Sequence, residues 1–199
     1  MGVHPIALRV TDDLRRSRLT VAFRLILSLP HIIWVSLWGF AALLATIVNW
    51  FATLIAGRSP EGLHRFLARY LRYATHQAAY LYLLANPFPG FLADDPYPVD
   101  LVVAPPELQN RWITGFRAIL AIPAWIVGYL LNLLLQVLAI IAWFAGIFTA
   151  RIPEGLRDLG LFCLRFQQQT YGYGAILTDR YPSFSYRQPD PAGEEAAPR

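Results

Sequence analysis

The chain has 199 residues, 56% of them hydrophobic and only 15% charged, with a formal net charge of +4. Soluble domains carry about 25% charged residues, so this chain has too little charge to cover a globule. A single cysteine excludes an internal disulfide and a cysteine-based metal centre, and all 17 basic residues are arginine.

The first predicted element is a short strand in which Ile6, Leu8 and Val10 alternate with smaller or polar neighbours. A basic stretch, Arg15 to Arg24, follows without the short apolar core of a cleaved signal peptide, so the next apolar helix is expected to direct insertion itself. Leu25 to Gly57 then runs 33 residues without a charge, beyond the ~20 that cross a hydrocarbon core as a helix. Pro30 near its start is expected either to kink the helix or to sit in its first turn, and His31 to Ala56 by itself is long enough for one tilted crossing. The turn Gly57-Arg-Ser-Pro-Glu-Gly62 ends that helix and starts another, with Ser59 as N-cap, Pro60 as first helical residue and Glu61 at the positive end of the dipole. In the second helix Leu63, Phe66, Leu67, Tyr70 and Leu71 form an apolar stripe at helical spacing. Arg65, Arg69, Arg72 and His76 fall on the other face, a pattern that suits a helix in the headgroup region.

The same order then returns at a constant offset of 93 residues. Phe23-Arg-Leu-Ile-Leu-Ser-Leu-Pro30 recurs as Phe116-Arg-Ala-Ile-Leu-Ala-Ile-Pro123, and Trp50-Phe-Ala as Trp143-Phe-Ala. Arg58-Ser-Pro-Glu-Gly-Leu63 recurs as Arg151-Ile-Pro-Glu-Gly-Leu156. An offset this long makes each copy a whole structural unit. The second copy has a strand at Val99, Leu101 and Val103, an uncharged run from Ala118 to Ala150, and a second helix that keeps Arg165 but is richer in glutamine than arginine. The organisation is therefore repeat 1 over 4–93, repeat 2 over 97–186 and a polar, disordered tail over 187–199. The fold class is an all-α membrane protein of two tandem helical hairpins. Each follows a short strand, and the strands, with Tyr181 to Tyr186 as a third candidate, are able to form a small sheet beside the membrane. Basic residues flank both ends of each apolar run, so charge alone gives no orientation. A single crossing with a partly embedded return helix is favoured over a hairpin turning near Trp38-Gly39, whose turn would lack polar residues.

These recurring strings, with Arg72/Arg165, Tyr80/Tyr173 and the exit motif Asp179-Arg-Tyr-Pro-Ser-Phe184, resemble a bacterial membrane family known as domain-of-unknown-function family 4389. The resemblance covers both copies and implies an integral membrane protein, in a bacterial inner membrane, without an established activity. Repeat 1 departs from the exit motif at Asn86-Pro-Phe-Pro-Gly-Phe91.

The residues kept in both copies are helix punctuation and arginine, not a catalytic set. Arg24 and Arg117, at the heads of the apolar runs, either cap carbonyls or snorkel to the interface, or they bind lipid phosphate. With Arg65, Arg69, Arg72 and Arg165 they are the candidate lipid- or anion-binding residues. Arg58, Pro60 and Glu61, like Arg151, Pro153 and Glu154, read as a structural turn lock. The histidines at 31, 64 and 76 are not kept in the second copy, so no metal or other cofactor is expected. Cys163 reads as a small buried hydrophobe, and Asn132 with Gln136 as helix glue. No nucleotide, nucleophile or nucleic-acid motif is present. The expected function is a non-enzymatic, lipid-interacting or accessory subunit of a membrane complex, with lipid, anionic lipid included, other subunits or a second copy as partners. A transporter or channel component built on the duplication is the alternative.

Overall fold

Each uncharged run folds as a long helix that turns back on itself through a tight corner. The structure, a computed structural model, describes residues 4–185, so the expected tail over 187–199 lies outside the described residues. In repeat 1, β1 (Ile6–Val10) leads through the short α1 (Arg18–Ala22) into α2 (Arg24–Ala56), and α3 (Glu61–Leu81) returns alongside it. In repeat 2, β2 (Val99–Val103) leads through α4 (Arg111–Gly115) and α5 (Arg117–Leu120) into α6 (Ile122–Thr149), and α7 (Glu154–Gly174) returns.

Three expectations are settled or corrected. First, α2 starts at Arg24, ahead of His31, with Pro30 inside it, one of the two placements open to the proline. The turn before the proline is already closed by a Leu27 N–H bond to the Phe23 carbonyl (2.9 Å), so the missing donor interrupts an established helix. In repeat 2 the chain does break there, at Ala121, and Pro123 sits in the first turn of α6. Second, Ser59 is not an N-cap. Its hydroxyl donates instead to Asn49 Oδ1 (2.7 Å), and the α3 cap position is Pro60. Third, residues 181–185 form no strand, and among the described residues the sheet has two strands.

α2 passes through Trp38 and Gly39 without a turn. Gly39 lets α3 approach closely there, since the Tyr70 hydroxyl lies 2.9 Å from where a Cβ would stand and would have to shift for one. At 33 residues, α2 is about 50 Å long. Both long helices end in a left-handed residue, Gly57 (φ 76°) and Ala150 (φ 55°), whose N–H closes on the carbonyl four residues back.

The two repeats are interlaced. The antiparallel ladder pairs Leu8 with Leu101, each the counterpart of the other, so a pseudo-twofold axis passes through the middle of the sheet. β2 packs on α3 and β1 on α7, so each strand covers the other repeat's helix. The entry helices exchange in the same way. Trp50 of α2 donates its indole N–H to Thr114 O of α4 (2.8 Å), and Trp143 of α6 donates to Val21 O of α1 (3.1 Å). At the corners, Gln109 N–H bonds Gly57 O (2.8 Å) and Arg16 N–H bonds Ala150 O (2.9 Å). α2 and α6 are thereby antiparallel, each beginning where the other ends.

The result is three layers. The sheet lies on α3 and α7, and those helices carry α2 and α6. On α3, Tyr70 and Tyr73 turn towards α2, where Trp38 and His31 meet them, while His64, Arg72 and His76 turn towards β2. One core joins Ile6, Leu8, Val99 and Leu101 of the sheet to Leu67 and Leu164 of the middle layer and Leu135 of α6. Each of α2 and α6, with α5 ahead of it, belongs to a run long and apolar enough to cross a membrane. Neither is covered by the protein. On α2, Ile26, Ile33, Leu37, Phe40, Val48 and Ile55 are more than half exposed, as are Ile126, Tyr129, Val137, Ile140, Phe144 and Phe148 on α6.

Candidate functional site

Arg24 and Arg117 occupy equivalent positions and do equivalent work. Each is buried and reaches across its own hairpin to the C-terminal end of the returning helix. Arg24 Nη1 donates to Tyr80 O (2.6 Å) and Ala85 O (2.8 Å), and its guanidinium lies 4.2 Å over the Tyr80 ring. Arg117 Nη1 donates to Thr178 O (2.6 Å) and Tyr173 O (3.3 Å), again 4.2 Å over its tyrosine ring. A cation at a helix C-terminus meets the negative end of the dipole and carbonyls that have no partner within the helix. The next residues, Leu83 (φ 64°) and Ile176 (φ 62°), are left-handed, a conformation a branched side chain adopts only under constraint. Their carbonyls are held by Arg16 (Nε, 3.1 Å) and Gln109 (Nε2, 2.9 Å), which are themselves counterparts.

The locks differ in their fourth member. Gln109 also accepts from Arg117 Nη2 (2.8 Å). In repeat 1 its counterpart is a second cation, Arg16, which ion-pairs with Asp12 (2.8 Å) and offers Arg24 no acceptor. Nε and Nη2 of Arg24 are accordingly buried without a hydrogen-bond partner, whereas in Arg117 only Nε is.

A second cluster lies between α3 of repeat 1 and β2 of repeat 2, and the equivalent place between α7 and β1 has none among the described residues. Asp100 accepts from Arg72 at both oxygens (Nε 2.6 Å, Nη2 2.7 Å) and from His76 Nε2 (2.7 Å). The His76 ring stacks on Tyr97, whose hydroxyl donates to Pro87 O (2.6 Å). Burial alone would push the Asp100 carboxyl up, but the His76 and Arg72 hydrogen bonds, with the Arg72 charge, hold it well below the usual carboxylate range. The hydrogen bond to Asp100 likewise raises Arg72 against the effect of burial. The counterpart of Asp100 is Ala7. On that side Gln169, at the His76 position, donates to Ile6 O (3.2 Å) and accepts from Ser183 N–H (2.9 Å).

The six candidate lipid-binding arginines therefore divide. Arg24, Arg117 and Arg165 are buried, the last donating to Phe184 O (3.2 Å), and Arg72 is engaged by Asp100. Arg65 and Arg69 are exposed, Arg69 pairing with Asp94. At the turns, no ion pair joins Arg58 to Glu61 or Arg151 to Glu154 among the described residues. Glu154 instead lies 3.7 Å from Arg157, and backbone bridges from Arg58 to Leu108 and from Arg151 to Arg15 hold each corner to the opposite repeat. Pro60 and Pro153 cap the returning helices, with Glu61 and Glu154 as their first residues. His76 is buried on Asp100 and not on a headgroup-facing surface, and His64, its pKa lowered by burial, bonds Ala104 O (2.9 Å).

Sequence reasoning missed the hub at Asn49. This fully buried residue of α2 donates to Ala175 O at the end of α7 (3.1 Å) and accepts from Ser59. A lone asparagine in an uncharged run was the available signal. Beside it, α2, α3, α6 and the end of α7 enclose an apolar recess of about 590 Å³, with Trp50, Tyr70 and Trp125 on its walls and Arg117 in its lining. Among the described residues no group of three or more His, Cys, Asp or Glu could hold a metal ion.

The model of one family, Domain of unknown function (DUF4389), matches the chain twice, over residues 18–93 and 111–185. The chain belongs to the DUF4389 family. Each DUF4389 segment opens at an entry helix, α1 or α4, and closes beyond the lock of its hairpin. Both strands, and with them Asp100, lie outside the matched segments, whereas its partners Arg72 and His76 lie inside the first. No curated protein and no solved structure matches.

Proposed function

We propose that this chain is a non-enzymatic membrane protein of a bacterial inner membrane, interacting with lipid or serving as an accessory or scaffold subunit of a membrane complex. The observation that carries this reading is the apolar surface of α2 and α6, left bare by a fold that buries its own core well. Monomeric soluble proteins rarely expose apolar patches beyond a few hundred Å², and a patch made of two helices about 40 to 50 Å long exceeds that. Arg24 and Arg117, kept in both copies, serve as helix locks, which supports a structural role over a catalytic one. Exposed arginines at the ends of the apolar helices and on α3 suit anionic headgroups.

The test is extraction of native membranes with alkaline carbonate, then binding of the purified protein to vesicles. Retention in the pellet and tighter binding to vesicles containing anionic lipid support the reading. Release into the supernatant, with no vesicle binding, overturns it. A transporter component is the second reading, favoured by one observation: α2 and α6 are antiparallel about a pseudo-twofold axis, the arrangement of inverted-repeat transporters.

A further inference from the structure

We infer that α2 and α6 lie in the plane of one membrane leaflet and do not cross it, with the sheet and the outer faces of α3 and α7 in water. This inference rests on the membrane reading above and concerns how the same apolar surface meets lipid.

The depth of the charged groups decides between the two placements. α3 runs antiparallel to α2 in a register fixed by Arg24 with Tyr80, His31 with Tyr73, Gly39 with Tyr70 and Asn49 with Ser59. In that register Arg65, Arg69 and Arg72 stand beside residues 33–43, the middle of the uncharged run. The pseudo-twofold puts Arg157 and Asp158 beside the middle of α6 in the same way. If α2 and α6 crossed a bilayer, these groups, Asp94, Asp100 and the strand residue Arg9 would lie near its midplane. Arg65, Arg69, Asp158 and Arg9 are exposed there, Arg69 and Asp158 as members of surface ion pairs with Asp94 and Arg157. Each such charge at the centre of a membrane helix costs roughly 2.5 to 3.5 kcal/mol even on the mildest scale. The two-stranded sheet would also place free strand edges in hydrocarbon, which cannot satisfy them.

Laid flat, the same structure has no conflict. The uncharged helices form one face, and the pseudo-twofold axis, standing normal to the membrane, presents both of them to the same leaflet. Residues 25–57 and 118–150 contain no Asp, Glu, Lys or Arg, so these helices bring no charge to that face. Arg15, Arg18 and Arg151 are exposed at one end and Arg58 and Arg111 at the other, where headgroup phosphates surround an embedded helix. Leu108 and Trp112, 80% and 78% exposed beside Arg111, are an apolar pair with an amphipathic ring suited to that depth. Gln136, exposed in the middle of α6, is tolerable near a headgroup layer and costly at a midplane.

Nitroxide labels at Leu25, Leu44 and Ile55, exposed at the start, middle and end of α2, read the depth directly in the vesicle-bound full chain with Cys163 replaced by alanine. In-plane placement gives three similar, shallow depths from oxygen and nickel-chelate collision rates. A crossing gives a label at Leu44 roughly 15 Å deeper than the other two, half the hydrocarbon thickness, and overturns the inference. Impermeant maleimide on intact spheroplasts supplies the second reading, with Arg58→Cys, Arg151→Cys and Arg9→Cys. Labelling of all three from one side supports in-plane placement, and labelling of Arg58→Cys and Arg151→Cys from opposite sides refutes it. If all three nitroxides are fully open to the nickel chelate, the membrane reading itself has failed, a result distinct from a crossing.

Discussion

The two copies share a framework and differ in how they satisfy its polar parts. Repeat 2 builds its lock from one arginine and one glutamine, so the buried cation gains a third acceptor. Repeat 1 replaces the glutamine by Arg16, balances the added charge with Asp12, and leaves two donors of Arg24 unpaired. Between strand and helix the difference reverses. Repeat 1's α3 carries a fully engaged Arg72–His76–Asp100 cluster, where α7 meets Ala7 and relies on Gln169. The corners and the C-terminal ends of the helices are thus held constant, while side-chain pairing is solved separately on each side. A duplicated unit keeps what fixes the chain path and is free in what merely neutralises it.

The sharpest test of the locks is removal of each arginine. Arg117→Met is expected to lower stability by about 3 to 4 kcal/mol, since it strips a buried cation from two helix-end carbonyls and from Gln109. Arg24→Met is expected to cost about 1 kcal/mol less, because it also removes two unpaired donors. Thermal unfolding in detergent micelles measures both, and equal losses would break the contrast. Packing against the strands gives the next effect. Gly172 is where the Ile6 tip of β1 packs, and the equivalent pair across the axis is Ala79 and Val99, both fully buried. Gly172→Ala is expected to cost about 2 kcal/mol by overpacking, and Ile6→Val in the same chain should recover at least half.

Asp100→Asn is expected to cost about 1.5 kcal/mol, the difference between a charged and a neutral acceptor for Arg72 and His76. The sign with pH follows from the lowered carboxyl. Its contribution is complete above the ordinary carboxylate value of about 3.9 and is lost as pH falls below it. The variant should therefore show a flatter loss of stability on acidification than the parent, and parallel curves would place the acid sensitivity elsewhere. The smallest effect is the most informative about the copies. Arg16→Gln alone leaves Asp12 buried without a counter-charge, held only by the Leu14 N–H, and should destabilise, whereas Asp12→Asn with Arg16→Gln recreates the Gln109 arrangement and should stay within about 1 kcal/mol of the parent.

Much of this architecture was legible because the offset of 93 aligned every turn with its copy. Pro60 and Pro153, Glu61 and Glu154, and the paired arginines mark the corners and locks without reference to coordinates. What stayed hidden was contact between the copies. Asp100 finds Arg72 and His76 only because β2 crosses to the other repeat, and its counterpart Ala7 leaves no trace of the cluster in the repeat pattern. Ser59 has the right type and place for a cap, but the nearer acceptor is Asn49, a tertiary neighbour that local spacing does not reveal. The stripe on α3 correctly separated two faces, yet the face assigned to headgroups also receives a strand.

The exchange of strands and entry helices between repeats also bears on ancestry and assembly. Cut in the 93–97 segment, the chain would become two nearly equivalent halves, each lending its arm to the other. That is the geometry of an arm-swapped homodimer whose subunits have been fused head to tail. A single copy with one such arm has an obvious partner in a second identical copy, so the unit is built for pairing before duplication makes the pairing permanent. Halves joined in one chain need not be identical, and the unequal locks and the one-sided Asp100 cluster are differences that covalent linkage permits.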